Sequence, residues 1–173
     1  MTTQQTAPRG CDVSLATNYH KILVALDRTE DAAEIFASAL SLSRTHNSNL
    51  RAFHCIPYLP SSPDLLAAGT GLGIYAPEVS NLSDTIAQAT LDEVTSWLQD
   101  CQQRAGDCAV SCAFEQRVGD PGREICAAAQ RWGADLIVIG RRGRAGLSEI
   151  LLGSVSNYVM HHASCDVLIV QGH

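Results

Sequence analysis

Five short apolar runs, separated by segments of helical periodicity, limit the fold of this chain more than any other feature. The runs are "KILVALD" (residues 21–27), "NLRAFHCI" (49–56), "AVSCAFEQRVG" (109–119), "ADLIVIG" (134–140) and "CDVLIVQG" (165–172). The first has no polar alternation, as in strands buried on both faces of a parallel sheet. The third is less apolar and belongs nearer a sheet edge. Between the first two runs, Ala32, Ile35, Phe36, Ala39, Leu40 and Leu42 follow helical spacing. Residues 77–104 carry one apolar stripe through Val79, Leu82, Ile86, Ala89, Val94, Trp97 and Cys101. "DPGREICAAAQRW" starts as a helix should, with Asp120 as N-cap and Pro121 at the first helical position, and Gly133 can end it in the left-handed conformation. A fourth helix fits residues 154–164. The order βαβαβαβαβ implies right-handed crossovers and a single α/β domain, an open parallel sheet with helices on both faces.

The chain has 173 residues, enough for one substantial core, and a net charge of −6. That charge argues against general binding to nucleic acid or anionic membranes, which rests on broad positive surfaces. No stretch approaches the roughly 20 apolar residues of a membrane span. Residues 1–19 read as a flexible polar tail without a secretory apolar segment, so the expected location is cytoplasmic. The seven cysteines include no C-x-x-C pair, so neither a disulfide framework nor a zinc site is expected. Residues 57–77, with four prolines and three glycines, form a long loop expected to be mobile.

"GRRGRAGLSEILLGS" (140–154) sets four glycines and three arginines between the fourth strand and the fourth helix. In doubly wound sheets ligands bind beyond the strand C-termini, where the strand order reverses. Both this loop and Asp27 lie at such an edge. Glycines let backbone N–H groups approach an anion, and Gly153-Ser154 opens a helix whose first amides are unpaired. Ser154 is expected to cap that helix. The pattern describes a phosphate site. It is not a Walker A loop, because Gly153 stands where lysine is required, and the spacing Gly140-x2-Gly143-x2-Gly146 is not the dinucleotide fingerprint. "GTGLG" (69–73) follows no strand. His161 and His162 point about 100° apart on a helix and do not share a metal ion easily; one of them eases the helix C-terminal dipole.

Gly140-x2-Gly143-x9-Gly153-Ser154, together with "KILVALD", "FHCI", "VGDP", "ADLIVIGRRG" and "LLGSVSNYVM", resembles the ATP-binding branch of the universal stress protein family over residues 20–171. The resemblance implies a Rossmann-like, adenine nucleotide alpha hydrolase-like domain with strand order 3-2-1-4-5. Asp27 would then lie near the adenosine, with Ala25 and Leu26 along the same wall. Cys55 would read the adenine edge through its backbone. Ile139, Gly140, Arg141 and Gly143 would border ribose and phosphates, and Gly153, Ser154, Val155 and Ser156 would give amides and hydroxyls to the phosphate chain. The ligand would be ATP, with magnesium bridging phosphate oxygens, as hard cations do; which side chains bind the metal is left open.

Two positions depart from the family pattern. Arg28-Thr29 follows Asp27 where many relatives carry Gly-Ser, and Asp166 stands where proline is common before the last strand. The function implied is that of a stress-response sensor or signalling module. No triad or histidine–carboxylate pair is evident as a general base, so ATP hydrolysis would be slow at most. The alternatives are a true nucleotide hydrolase or adenylyl-transferring enzyme of this architecture, or a binder of AMP or a cyclic adenine nucleotide. The 3-2-1-4-5 order puts Cys165 to Gly172 at a sheet edge. Its uninterrupted Val167-Leu168-Ile169-Val170 predicts a homodimer through that strand.

Overall fold

The structure is a computed structural model that describes residues 18–57, 76–141 and 152–171. Five strands, β1 (Lys21–Ala25), β2 (Asn49–Pro57), β3 (Cys112–Gly119), β4 (Leu136–Gly140) and β5 (Asp166–Val170), alternate with α1 (Ala32–His46), α2 (Ala76–Asp107), α3 (Pro121–Trp132) and α4 (Ser154–His162). All strand pairs are parallel, in the order β3-β2-β1-β4-β5. The less apolar third run is indeed an edge. The tail before residue 18, most of the loop expected over 57–77, and residues 142–151 of the glycine-rich segment, Gly143 among them, lie outside the described residues.

Successive strand residues point to opposite faces, and this period-2 rule sorts the core in two. Ile22, Val24, Leu26, Leu50, Ala52, Leu136 and Val138 pack with Ile35, Phe36, Ala39, Val94 and Leu98 of α1 and α2. Leu23, Ala25, Phe53, Cys55, Ile137 and Ile139 pack with Ile125, Ala128, Ala129 and Val159 of α3 and α4 on the other face. Right-handed crossovers require this split, because the chain winds one way from β1 to β3 and the other way from β4 to β5. Phe36 and Phe53 are almost completely buried, each contributing about 1.5–3 kcal/mol through removal of its side chain from water.

The helix ends follow local chemistry. The Asp120 carboxylate accepts from the Arg123 amide at 3.0 Å, as a capping side chain at this position should. Gly133 closes α3 with φ 67°, a backbone state that costs glycine nothing. The predicted limits shift elsewhere. α2 starts at Ala76 and runs to Asp107, and β1 stops at Ala25, before Asp27. At the opposite end of the sheet, Asp135 Oδ2 accepts the amides of His20 and Lys21 at 2.8 Å each, fixing the β1–β4 register.

Candidate functional site

The order reverses between β1 and β4, whose last paired residues are Ala25 and Ile139. Beyond that pair the two chains part, one entering Leu26-Asp27 and the other Gly140-Arg141. Leu26 remains anchored: its amide donates to the Phe53 carbonyl at 2.9 Å, and its own carbonyl lies 2.7 Å from His54 Nδ1. Asp27 is half-buried, and its Oδ1 accepts the Thr29 hydroxyl at 2.5 Å. It does not cap α1, whose N-cap is Asp31. It does not pair with Arg28 either; that guanidinium meets Glu93 of α2 at 2.8 Å in a solvent-exposed ion pair.

On the other side of the reversal, Arg141 joins three elements. Its amide donates to Val170 of β5 at 2.8 Å, and its carbonyl accepts the Gly153 amide at 2.9 Å and the Ser156 hydroxyl at 2.9 Å. The chain entering the glycine-rich segment and the chain leaving it are thereby fastened together, which brings Gly140, Arg141, Gly153 and Ser156 into one corner. The N-cap of α4 is Gly153, with extended φ −60° and ψ 154° and no side-chain capping bond. This corrects the expectation for Ser154, which is the exposed first residue of the helix. Among the described residues no side chain caps the first amides of α4, an arrangement that suits an external anion at the positive end of the helix dipole. Val155 turns its side chain toward the α3–α4 core. Ser156 is buried, and its hydroxyl donates inward to Arg141 and Gly153.

Cys55 sits two residues past Phe53, the partner of Ala25, near the end of β2. Its thiol lies against the Gly119 carbonyl at 3.6 Å. Burial, then the carboxylates of Glu124 and Asp120, push its pKa up to about 11, so the side chain stays a neutral thiol. Sequence reasoning passed over His54. It is buried, bonded to the Leu26 carbonyl, and set edge-on to Trp97 of α2 with ring centroids 5.5 Å apart. A histidine inside an apolar strand was the available signal. Among the described residues no group of three or more His, Cys, Asp or Glu side chains could hold a metal ion. No helix there is long and apolar enough to cross a membrane.

The profile of the universal stress protein family matches residues 18–171. The chain belongs to the universal stress protein family. It is 44% identical over 153 residues to universal stress protein Sll1388 of Synechocystis, covering 88% of this chain and 98% of that one. Among solved structures, universal stress protein UspA from Lactobacillus plantarum superposes with a TM-score of 0.71 at 24% identity, covering 88% of this chain and 98% of the other. A universal stress protein in complex with cAMP gives 0.61 at 23% identity, over 91% and 100% of the two chains. The universal stress protein from Archaeoglobus fulgidus in complex with dAMP gives 0.55 at 21%, over 88% and 98%. At these identities the superpositions show the fold.

Both departures from the family pattern have local consequences. Arg28 is held by Glu93, which ties the turn after β1 to α2. Asp166 Oδ2 accepts the Tyr19 hydroxyl at 3.1 Å, at the end of the sheet opposite Asp27. The effect of Asp166 therefore falls on the entry to β5.

Proposed function

We propose that this universal stress protein is a cytoplasmic adenine-nucleotide binder, a single domain over residues 20–173. It takes ATP with magnesium and acts as a stress-response sensor or signalling module. The observation that carries the reading is the uncapped N-terminus of α4, fastened through Arg141 to the sheet edge where Asp27 emerges. Amides at Ser154, Val155 and Ser156 suit phosphate oxygens, Asp27 suits ribose hydroxyls, and the backbone at Cys55 suits an adenine edge. Ala25, Leu26, Ile139, Gly140 and Arg141 complete the wall; Gly143, outside the described residues, is included on the family motif alone. The residues present fit a triphosphate, since Gly153 sets no side chain in the approach to the amides. Magnesium would be held chiefly by phosphate oxygens and neutralise their charge, in keeping with its reluctance to enter all-protein cages. The cAMP and dAMP complexes of structural neighbours support an adenine ligand, and they also favour a second reading, AMP or a cyclic nucleotide as the physiological ligand. The active form in this reading is a homodimer through the edge strand from Cys165 to Gly172.

Thermal unfolding tests the assignment. ATP with magnesium at about 100 times its Kd should add about 2.7 kcal/mol, and GTP clearly less. AMP and cAMP in the same series rank the second reading. Gly153→Val should abolish the ATP shift by filling phosphate space, with the melting temperature of the free protein nearly unchanged. Equal shifts for ATP and GTP would remove the adenine assignment; normal ATP binding by Gly153→Val would remove the phosphate site. Metal-dependent turnover at many cycles per minute would favour the hydrolase or adenylyl-transfer alternative.

A further inference from the structure

Away from the β1–β4 reversal, a groove of about 550 Å³ runs between the C-terminal half of α1 and the end of α2. Its lining includes Leu40, Ser41, Arg44 and Thr45 from α1, with Arg104 and Cys108 from the end of α2 and the turn that follows. No carboxylate lines it, and neither arginine has an ion-pair partner among the described residues. The Arg104 guanidinium lies over the Phe36 ring, 5.5 Å from its centroid, a cation–π contact that limits its wandering. The Thr45 hydroxyl donates to the Ser41 carbonyl at 2.9 Å, so its oxygen is left to accept from a ligand. Two exposed guanidiniums without ion-pair partners among the described residues, beside Ala37 and Leu40, make this groove locally positive in a chain of net charge −6.

Cys108 lines the same groove. It follows Arg104 by four residues and is held in a fixed turn. Its amide donates to Ala105 at 3.1 Å, the Val110 amide donates to the same carbonyl at 2.9 Å, and Ala109 takes φ 57°. Among the six described cysteines, all of them free thiols, Cys108 is the exposed one. Burial raises the pKa of Cys55, Cys101, Cys112, Cys126 and Cys165, which withholds the thiolate needed for exchange.

We propose that this groove binds a small, peptide-sized disulfide bearing carboxylates and transfers one half of it to Cys108. The carboxylates pair with Arg44 and Arg104 while the disulfide lies against the thiol. The Cys108 thiol gives its proton to solvent, and the thiolate attacks one sulfur of the bound disulfide. A new S–S bond forms as the old one breaks. The departing half leaves as a thiolate with the electron pair and takes up a proton, so Cys108 is oxidised and the departing sulfur is reduced. The groove thus marks the protein with an anionic mixed disulfide when the surrounding thiol pool is oxidised.

The test uses the full chain with glutathione disulfide as the anionic probe and hydroxyethyl disulfide as the neutral one. Modification is mapped by digestion and mass spectrometry, so that Cys108 is separated from Cys112 and from Cys11. Each Cys108 rate is divided by the rate in the denaturant-unfolded chain, which removes the intrinsic reactivity of the probe. Glutathione disulfide should then be preferred at Cys108 by about tenfold at most, the scale of two solvent-exposed ion pairs. Arg44→Gln, Arg104→Gln and raised salt should each reduce that preference, and because it is a ratio of two rates at the same thiol, any change in thiolate fraction cancels from it. Unchanged melting temperatures of the two variants show that the fold is kept. Equal normalised rates for the two probes, or a preference that survives both arginine replacements, would overturn the proposal.

Discussion

Gly122 is the second residue of α3, and a methyl group there would come within 2.8 Å of Tyr158 Cδ1 and 2.9 Å of its Cγ. These atoms are close to the backbone of α4, and the Tyr158 ring is stacked on His162 with centroids 3.9 Å apart, so the side chain has little freedom to retreat. Gly122→Ala gains up to about 1 kcal/mol of helix propensity. Forcing α3 and α4 apart should cost about 1–3 kcal/mol, and the net expectation is a loss. Urea unfolding should show a lower midpoint at unchanged slope. In a Tyr158→Ala background the same substitution should turn neutral or stabilising; an undiminished loss there would refute the close-packing account. Asp120→Ala, which leaves the Arg123 amide uncapped, should cost about 1 kcal/mol in the same assay. Asp120 was legible in the sequence because a cap followed by proline is a local signal. The cap of α4 was not. Which of Gly153 and Ser154 takes the extended conformation depends on Arg141, twelve residues earlier in the chain and adjacent in space.

Between elements, Glu115 of β3 is the most connected charge among the described residues. Its carboxylate accepts from Arg51 of β2 at 2.9 Å, from Arg117 at 3.0 Å and from Arg131 of α3 at 3.2 Å. Arg51 also lies over the Trp132 ring, 4.4 Å from its centroid. Burial of Glu115 raises its pKa, but hydrogen bonds from Arg117, Arg131 and Arg51 outweigh that, and the net shift is downward. A pKa lowered on folding means stability that is present above the unfolded value, about 4.3, and lost as pH falls through the folded value. Glu115→Gln should therefore destabilise the protein at neutral pH. The gap between wild type and variant should hold above about pH 5 and narrow as the pH drops below about 4.3. Melting curves across that range check it, and a gap independent of pH would show that the charge of Glu115 is immaterial. None of this was readable in sequence. Arg51, Glu115 and Arg131 acquire their relation only once β2 and β3 pair and α3 folds across them. The strands themselves were legible because a parallel strand covered on both faces must be apolar along its length, as "KILVA" and "LIVIG" are. Their ends were less so: Leu26 continues the apolar run and keeps one hydrogen bond to Phe53, yet β1 has already ended.

At the scale of the whole molecule, a five-stranded open sheet has two edges, and this one treats them differently. β3 carries Glu115, Gln116 and Arg117 along its length, and charges of this kind discourage pairing with another sheet. β5 carries Val167, Leu168, Ile169 and Val170 without interruption, and Leu168 remains 38% exposed. Val167 and Ile169 pack partly against the α3–α4 core, whereas Leu168 has no such burial. Two β5 edges joined antiparallel about a twofold axis would satisfy both hydrogen-bonding rows and cover Leu168, giving the isologous dimer proposed above. Ile169→Lys should disrupt it but would also disturb the monomer core. Leu168→Lys is the cleaner change, because it adds a charge where the isolated chain is already exposed. Sedimentation at micromolar concentration should show wild type as a dimer and Leu168→Lys shifted toward monomer with an intact far-ultraviolet spectrum. A charged substitution on β3, Val118→Lys, should leave the dimer unaffected, although Val118 is the more exposed side chain at 56%. A monomeric wild type, or a dimer lost on Val118→Lys and kept on Leu168→Lys, would move the interface away from β5.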